Sequence, residues 1–343
     1  MQALILNASR DLRLVDFSQP ALGAREVLIR VKACGICGSD VHGYDGSTGR
    51  RIPPLIMGHE AAGEVVSVGA EVRAFEPGDR VTFDSTISCG HCQFCLSGDV
   101  NLCDSRQVLG VSCGDYRRHG AFAEFIAVPE HIVYTLPANF PYERAALIEA
   151  VSIGMHAVKI SGVLPGSAAV VIGAGMIGLL TIQILRHFGC STILAVDVDA
   201  ERLRLASELG AEHTLLGSHT DIVAQLKNLT NGQGPDLAIE AVGGQNSVTT
   251  AIESVRRGGT VTLIGNLAPK VEIPLQTVVT RQLRLLGSCA SAGEYRECID
   301  LMERGAVKVD SLISAVAPLS DGPVWFDRLY RRTPGLMKVI LVP

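Results

Sequence analysis

Four cysteines, Cys89, Cys92, Cys95 and Cys103, stand in a C-x2-C-x2-C-x7-C pattern. Four thiolates suit tetrahedral Zn2+ and leave no open position, so a metal held here is expected to be structural. An iron–sulfur cluster is the rival reading. Its motif continues with x3-C-P, whereas here the fourth cysteine follows seven intervening residues and precedes Asp104. Four ordinary free thiols are the other alternative. A second set is looser. It comprises Gly35-Ile36-Cys37-Gly38-Ser39-Asp40-Val41-His42, then Gly58-His59-Glu60, then Glu149. Cys, His and carboxylate are the ligand types of a catalytic zinc, which keeps one position open for water or substrate. Taken singly, His59 reads as a core histidine and Glu60 as an ion-pair partner. Cys34 and Cys37 also form a C-x-x-C pair, but the βαβ context of a redox motif is missing.

Gly173-Ala174-Gly175-Met176-Ile177-Gly178 fits G-x-G-x-x-G. It follows the β-branched run Ala168 to Ile172 and opens a helical segment, Met176 to Phe188. In that context the glycines allow a tight turn, and the helix N-terminus offers free N–H groups to a pyrophosphate. Asp197 ends the next predicted strand, 19 residues after Gly178. A carboxylate there accepts both ribose hydroxyls and repels a 2′-phosphate, so NAD is favoured over NADP, with Asp199 close by. Val198 and Arg202 are placed beside the adenosine; a solvated helix face is the other reading of Arg202. Val242, Ile264, Gly265 and Ser288 follow later strand ends and are placed around the cofactor. Simple turn chemistry competes for the loops at Val242-Gly243 and Ile264-Gly265-Asn266.

These residues need two kinds of scaffold. Residues 1–135 read as short strands broken by Gly and Pro, among them Glu26 to Lys32, Glu64 to Val68 and Arg80 to Phe83. Tyr142 to Val158 has helical apolar spacing. From there strand and helix alternate: Ile193 to Val196, Ala200 to Leu209, Leu237 to Ala241 and Thr260 to Ile264. Such alternation predicts a doubly wound parallel sheet with helices on both faces. A helix near Tyr295 to Arg304 and a final strand, Lys338 to Val342, close the chain.

The 343 residues correspond to roughly two domains. Thirty Lys+Arg against 35 Asp+Glu leave a net charge of −5, which argues against a nucleic-acid partner. The longest apolar run with Gly allowed, Ala168 to Leu180, is 13 residues, too short for a membrane span. Met1 to Phe17 carries four charges and does not read as a signal peptide, which points to the cytoplasm. Seven of the ten cysteines lie between Cys34 and Cys113, an asymmetry that suggests metal chemistry in the first half. Cys34, Cys113, Cys190, Cys289 and Cys298 are expected to be buried small hydrophobes.

The order G-I-C-G-S-D-x-H, G-H-E, four-cysteine lobe and dinucleotide fingerprint resembles the zinc-dependent medium-chain dehydrogenase/reductase family over nearly the whole chain. Ala146 to Ala157 is similar to the A-L-I-E-P-L-S-V-G-x-H-A stretch of its polyol branch, the sorbitol (L-iditol) dehydrogenases, with galactitol-phosphate dehydrogenases carrying a close variant. The resemblance implies an α/β Rossmann domain joined to a β-rich GroES-like catalytic domain. The expected limits are 1–150 for the catalytic domain with its zinc lobe at 86–104, 151–289 for the NAD domain, and 290–343 for the rest of the catalytic domain. It implies one catalytic and one structural Zn2+ per chain. Cys37 and His59 would ligate the catalytic zinc, with Glu60 as a further ligand; Glu149 would either ligate the metal or hold its water, and the two carboxylates would exchange. Cys89, Cys92, Cys95 and Cys103 would hold the structural zinc. Ser39 and His42 match positions that pass a proton outward; a turn hydroxyl and a surface histidine are their other readings. The implied reaction takes a hydride from a secondary alcohol, a polyol or sugar alcohol, to NAD+ and leaves a ketone. The implied assembly is a homo-oligomer, dimer or tetramer, paired through the strand around Leu283 to Gly287.

Two departures weaken an assignment to sorbitol itself. Ala290 and Ser291 stand where sorbitol dehydrogenases carry an Arg-Tyr pair, and Gly43 stands where they carry a Tyr. Arg50, Arg51, Arg117 and Arg118 are read either as solvated loop charges or as an anion site for a phosphorylated substrate. An L-threonine or amino-alcohol dehydrogenase is the alternative enzyme. A non-catalytic NAD- and zinc-binding protein is the alternative of another class.

Overall fold

The computed structural model describes residues 1–217 and 221–343. They form two compact units. One comprises Met1–Glu149, Tyr295–Glu303 and Val309–Pro343; the other comprises Ala150–Glu294 and Arg304–Lys308. The second unit therefore runs five residues beyond the expected limit at 289 and regains a short later segment.

The first unit is β-rich. Its main sheet has seven strands. Glu26–Gly35 lies centrally, pairing antiparallel with Glu60–Val68, Phe125–Pro129 and Lys338–Val342. Alternation explains why this strand forms: Val27, Ile29, Val31 and Ala33 are buried while Arg30 points outward. The core beneath it holds Phe83, Phe122 and Phe326, each nearly free of solvent. Phe122 and Phe326 meet edge-to-face at 5.7 Å. The expected helix over Tyr142 to Val158 is broken in two, Tyr142–Ala145 and Ile148–Ile160.

The second unit is a six-stranded, all-parallel sheet. Its spatial order is His213–Leu216, Thr192–Asp197, Ala168–Ile172, Leu237–Glu240, Thr260–Leu263, Arg284–Gly287. Numbered along the chain that is 3-2-1-4-5-6, the dinucleotide-binding order. Ala169, Val170 and Val171 are fully buried because helices cover both faces of a parallel sheet. The order reverses between Ala168–Ile172 and Leu237–Glu240, so a ligand crevice belongs at their carboxyl ends. Arg284–Gly287 is an edge strand of this sheet.

The turn after Ile172 depends on glycine. Gly173 has φ +98°, and a Cβ there would lie 2.5 Å from Val242 Cγ2. A Cβ on Gly178 would collide with the Gly173 carbonyl oxygen, so only glycine lets the helix Met176–His187 pack against this strand. Gly178→Ala is accordingly expected to cost about 1–3 kcal/mol through overpacking, read as a lowered apparent Tm of the purified variant.

Candidate metal centres and nucleotide site

Cys37 is the N-cap of the short helix Gly38–Gly43. The Ser39 backbone N–H and hydroxyl both donate to its sulfur, at 3.4 and 3.3 Å. Asp40, three residues on, accepts from the Cys37 N–H at 3.3 Å and closes a capping box. His59 arrives after a turn at Gly58, whose φ is +91° and whose Cβ would strike Cys34 Sγ and Phe122 Cγ at 2.9 Å. Glu60 opens the strand Glu60–Val68 directly opposite Gly35. Glycine at 35 leaves the space that the Glu60 carboxylate fills. Lys338 Nζ donates to Glu60 Oε2 at 2.5 Å and to the Ile36 carbonyl at 3.1 Å. One ligand atom from each of Cys37, His59 and Glu60 lies within 4.8 Å of the other two.

The donor set fits a cation. His59 Nδ1 faces Asp40 Oδ1 at 3.5 Å, which leaves Nε2 for a ligand role. Burial opposes positive charge on His59, yet Asp40 and the Cys37 sulfur push its pKa well above the ordinary histidine value. Burial also works against the charge of Asp40, but His59 and Arg51 hold its carboxyl at about 2. The cluster thus attracts positive charge.

Glu149 opens the helix Ile148–Ile160, half-buried, and lies outside that 4.8 Å group. The Ser85 hydroxyl donates to its Oε1 at 3.4 Å. Burial pushes the Glu149 carboxyl up to about 7; His59 opposes the shift, while Glu60 and Asp84 reinforce it. Ser39 reaches the cluster, whereas His42 is exposed on the last turn of its helix.

The four cysteines converge. Cys92 Sγ lies 3.5 Å and Cys89 Sγ 3.9 Å from Cys95 Sγ, and the Cys89 N–H donates to Cys103 Sγ at 3.2 Å. Zinc–sulfur bonds of about 2.3 Å put tetrahedral ligands roughly 3.8 Å apart, which fits. An iron–sulfur cubane interposes several atoms between its thiolates and would hold them farther apart. Backbone N–H groups of Cys95 and Asp104 draw the Cys92 thiol down to about 6, while burial pushes the Cys95 thiol up to about 11.

At the nucleotide turn, Gly175 is the N-cap of Met176–His187, and a Cβ there would meet nothing within 4 Å. No side chain among the described residues caps the first N–H groups of this helix, as a pyrophosphate requires. Asp197 accepts from the Ala174 N–H at 2.7 Å and from the Asp199 N–H at 2.9 Å. Two carboxylate oxygens carry about four acceptor positions, so room for ribose hydroxyls remains. Val198 is exposed beside it, and Arg202 faces Asp199 at 3.7 Å. The Val242-Gly243 and Ile264-Gly265 loops pack backbone on backbone: Cβ atoms on Gly243 or Gly265 would collide with the opposite loop. The Ser288 hydroxyl is buried with no hydrogen-bond partner among the described residues.

Two expectations need correction. Arg51 is not a solvated loop charge: it is 5% exposed and pairs with Asp40 at 3.2 Å. Arg117 donates to the Pro54 carbonyl at 2.8 Å, and Arg118 faces Glu26 at 3.7 Å, so these arginines do not gather into an anion site. Cys289 is exposed and Cys113 only partly buried; Cys34, Cys190 and Cys298 are buried as expected. Sequence reasoning missed Lys338 and Glu240, and quoted Asp40 within its motif without giving it a role. Asp40 was legible through its capping spacing from Cys37. Glu240, fully buried at a strand end, accepts from the Val242 and Gly243 N–H groups at 2.9 and 2.8 Å and braces the loop. Lys338 gave no local signal.

Residues 23–138 match the family described as alcohol dehydrogenase GroES-like domain, and residues 177–304 match zinc-binding dehydrogenase. The chain is 33% identical to a sorbitol dehydrogenase of Bacillus subtilis, over 100% of this chain and 97% of the relative. A zinc-binding dehydrogenase of Sinorhizobium meliloti, solved with NADP bound, superposes with a TM-score of 0.91 at 34% identity, covering 100% and 99% of the two chains. Galactitol-1-phosphate dehydrogenase of Escherichia coli superposes with a TM-score of 0.92 at 27% identity over 100% of both chains. With Cys37, His59 and Glu60 gathered in one unit, and a glycine turn at the switch point of the other, the chain belongs to the zinc-dependent medium-chain dehydrogenase/reductase family and is an oxidoreductase of CH–OH donors.

Proposed function

We propose that the protein oxidises a secondary alcohol of an unphosphorylated polyol to a ketone, with NAD+ as acceptor. The observation that carries this reading is the convergence of Cys37, His59 and Glu60 within 4.8 Å. Zinc, when bound, supplies Lewis-acid stabilisation of charge on oxygen, and NAD+ accepts the hydride. Cys37, His59 and Glu60 hold the metal, and Asp40 keeps the His59 ring turned toward it. Lys338 holds the Glu60 carboxylate and balances its charge. Glu149, whose carboxyl burial pushes up to about 7 in the metal-free chain, takes or returns the proton, with Ser85 fixing its orientation. Gly173, Gly175 and Gly178 shape the pyrophosphate turn, and Asp197 receives the ribose. Cys89, Cys92, Cys95 and Cys103 hold a structural zinc. The polyol class is supported by the similarity to sorbitol dehydrogenase. The engaged state of Arg51, Arg117 and Arg118 speaks against phosphate recognition by these residues. Ten cysteines, none of them in a disulfide, accord with a reducing compartment such as the cytoplasm. The edge strand Arg284–Gly287, with Leu275 and Val279 exposed nearby in sequence, suits pairing with a second copy. No helix among the described residues is long and apolar enough to cross a membrane.

A panel of sorbitol, xylitol, galactitol, galactitol-1-phosphate, 2,3-butanediol and L-threonine, followed by reduced-cofactor formation, tests the substrate class. An unphosphorylated polyol with NAD+ is expected to give the highest kcat/KM, and NADP+ is expected to be about tenfold worse or more because Asp197 repels a 2′-phosphate. L-Threonine ahead of every polyol would place the chain in another branch. Glu149 offers a second test. Its folded pKa of about 7 exceeds the ordinary 4.5, so the folded chain retains a proton that the unfolded chain releases. That term makes stability fall as pH rises from 4.5 to about 7. In metal-stripped protein, Glu149→Gln is therefore expected to raise Tm above pH 7 and to leave it unchanged near pH 4.5, as read by thermal unfolding across that range.

A further inference from the structure

Arg51 is a buried cation, and buried cations are rare unless paired. Its backbone forms an isolated parallel bridge with Ser112, whose N–H donates to the Arg50 carbonyl at 3.2 Å. Its aliphatic stem lies against Gly43, at the end of the helix Gly38–Gly43. A Cβ on residue 43 would collide with Arg51 Cγ, so glycine there makes room for the arginine. Nη2 donates to Asp40 Oδ1 at 3.2 Å and to Ser39 Oγ at 3.1 Å. Nη1 reaches the Arg50 carbonyl at 3.5 Å, and Nε has no partner among the described residues.

Two routes run from this one nitrogen to two metal-ligand candidates. Through Asp40 Oδ1 it reaches His59 Nδ1 as an ion pair at 3.5 Å, without a formed hydrogen bond. Through the Ser39 hydroxyl it reaches Cys37 Sγ at 3.3 Å. A serine hydroxyl has a single proton. Arg51 occupies an acceptor position on the Ser39 oxygen, and the proton points at the sulfur. A hydrogen bond to a thiolate withdraws electron density from it, and a weaker donor leaves a metal more electrophilic.

We propose that Arg51 is a positioning residue for the catalytic metal: one guanidinium fixes the Ser39 proton on Cys37 and the Asp40 carboxylate on His59, and so sets the donor strength and orientation of both ligands. The inference rests on reading Cys37, His59 and Glu60 as ligands.

Cobalt-loaded protein tests it. The thiolate-to-cobalt charge-transfer absorption has a Cys37 component, defined as the part lost in Cys37→Ser; the four-cysteine lobe supplies the remainder. Arg51→Met and Ser39→Ala are each expected to move the Cys37 component to longer wavelength, and Arg51→Lys to restore it toward the wild-type position. Gly43→Ala displaces the arginine stem while retaining every charged group, and should move the component the same way by less. Chelator should remove this metal about 10–100-fold faster from Arg51→Met than from wild type, with the lobe's absorption unchanged as the sign of an intact fold. An unmoved Cys37 component in Gly43→Ala and in Arg51→Met would overturn the proposal. If Arg51→Met does not fold, Gly43→Ala and Ser39→Ala decide by the same shift. Wild-type protein with no Cys37-dependent absorption would instead overturn the metal reading itself.

Discussion

Buried negative charge has to be met by buried positive charge, and this requirement organises the first unit. Asp40 and Glu60 are both nearly inaccessible to water. Each has its own cation, Arg51 at 3.2 Å and Lys338 at 2.5 Å. Removing one partner of such a pair leaves an uncompensated charge, at a cost of about 3–5 kcal/mol. Once the carboxylates are matched, the Cys37 sulfur and the His59 ring remain facing one another. Because the two ion pairs cancel the other charges, a divalent cation on the Cys37 thiolate would leave the cluster with one positive charge in excess, which suits Lewis-acid chemistry on an oxygen. The same balance keeps a bound metal electrophilic, since Glu60 shares its charge with Lys338.

The fold meets this requirement with backbone features rather than with extra side chains. Gly35 opens the space into which Glu60 reaches, and Gly43 opens the space that Arg51 fills. Gly58 turns the chain so that His59 and Glu60 enter from the strand opposite Cys37. Lys338 comes from the neighbouring strand, whose register sets Ile340 against Gly35. A sheet register therefore places the ligands as firmly as any side-chain contact does. In the second unit the strand order does the equivalent work, since the reversal beside Ala168–Ile172 leaves the glycine turn open at the sheet's carboxyl edge.

What was legible in the sequence follows from how local each signal is. The four cysteines, the glycine turn and Asp197 announce themselves within short windows. The strand Lys338–Val342 and the helices Met176–His187 and Ala200–Glu208 were readable from periodicity almost to the residue. The break after Ala145 was not, because Tyr142 to Val158 keeps its apolar spacing across it. Partners far apart along the chain were invisible: Lys338 lies 278 residues from Glu60. Arg51 misled for a physical reason. It sits in a polar, glycine-containing loop, where charges are usually solvated, and only the packing against Gly43 and Asp40 buries it.

Metal content measures the central claim directly. The purified chain is expected to hold about two zinc ions, one at Cys89, Cys92, Cys95 and Cys103 and one at Cys37, His59 and Glu60. Elemental analysis of Cys37→Ser beside the wild-type protein should show one zinc lost and the other retained, with the fold intact. Equal zinc in the two proteins would contradict a metal at Cys37, and with it the charge balance on which the catalytic site depends.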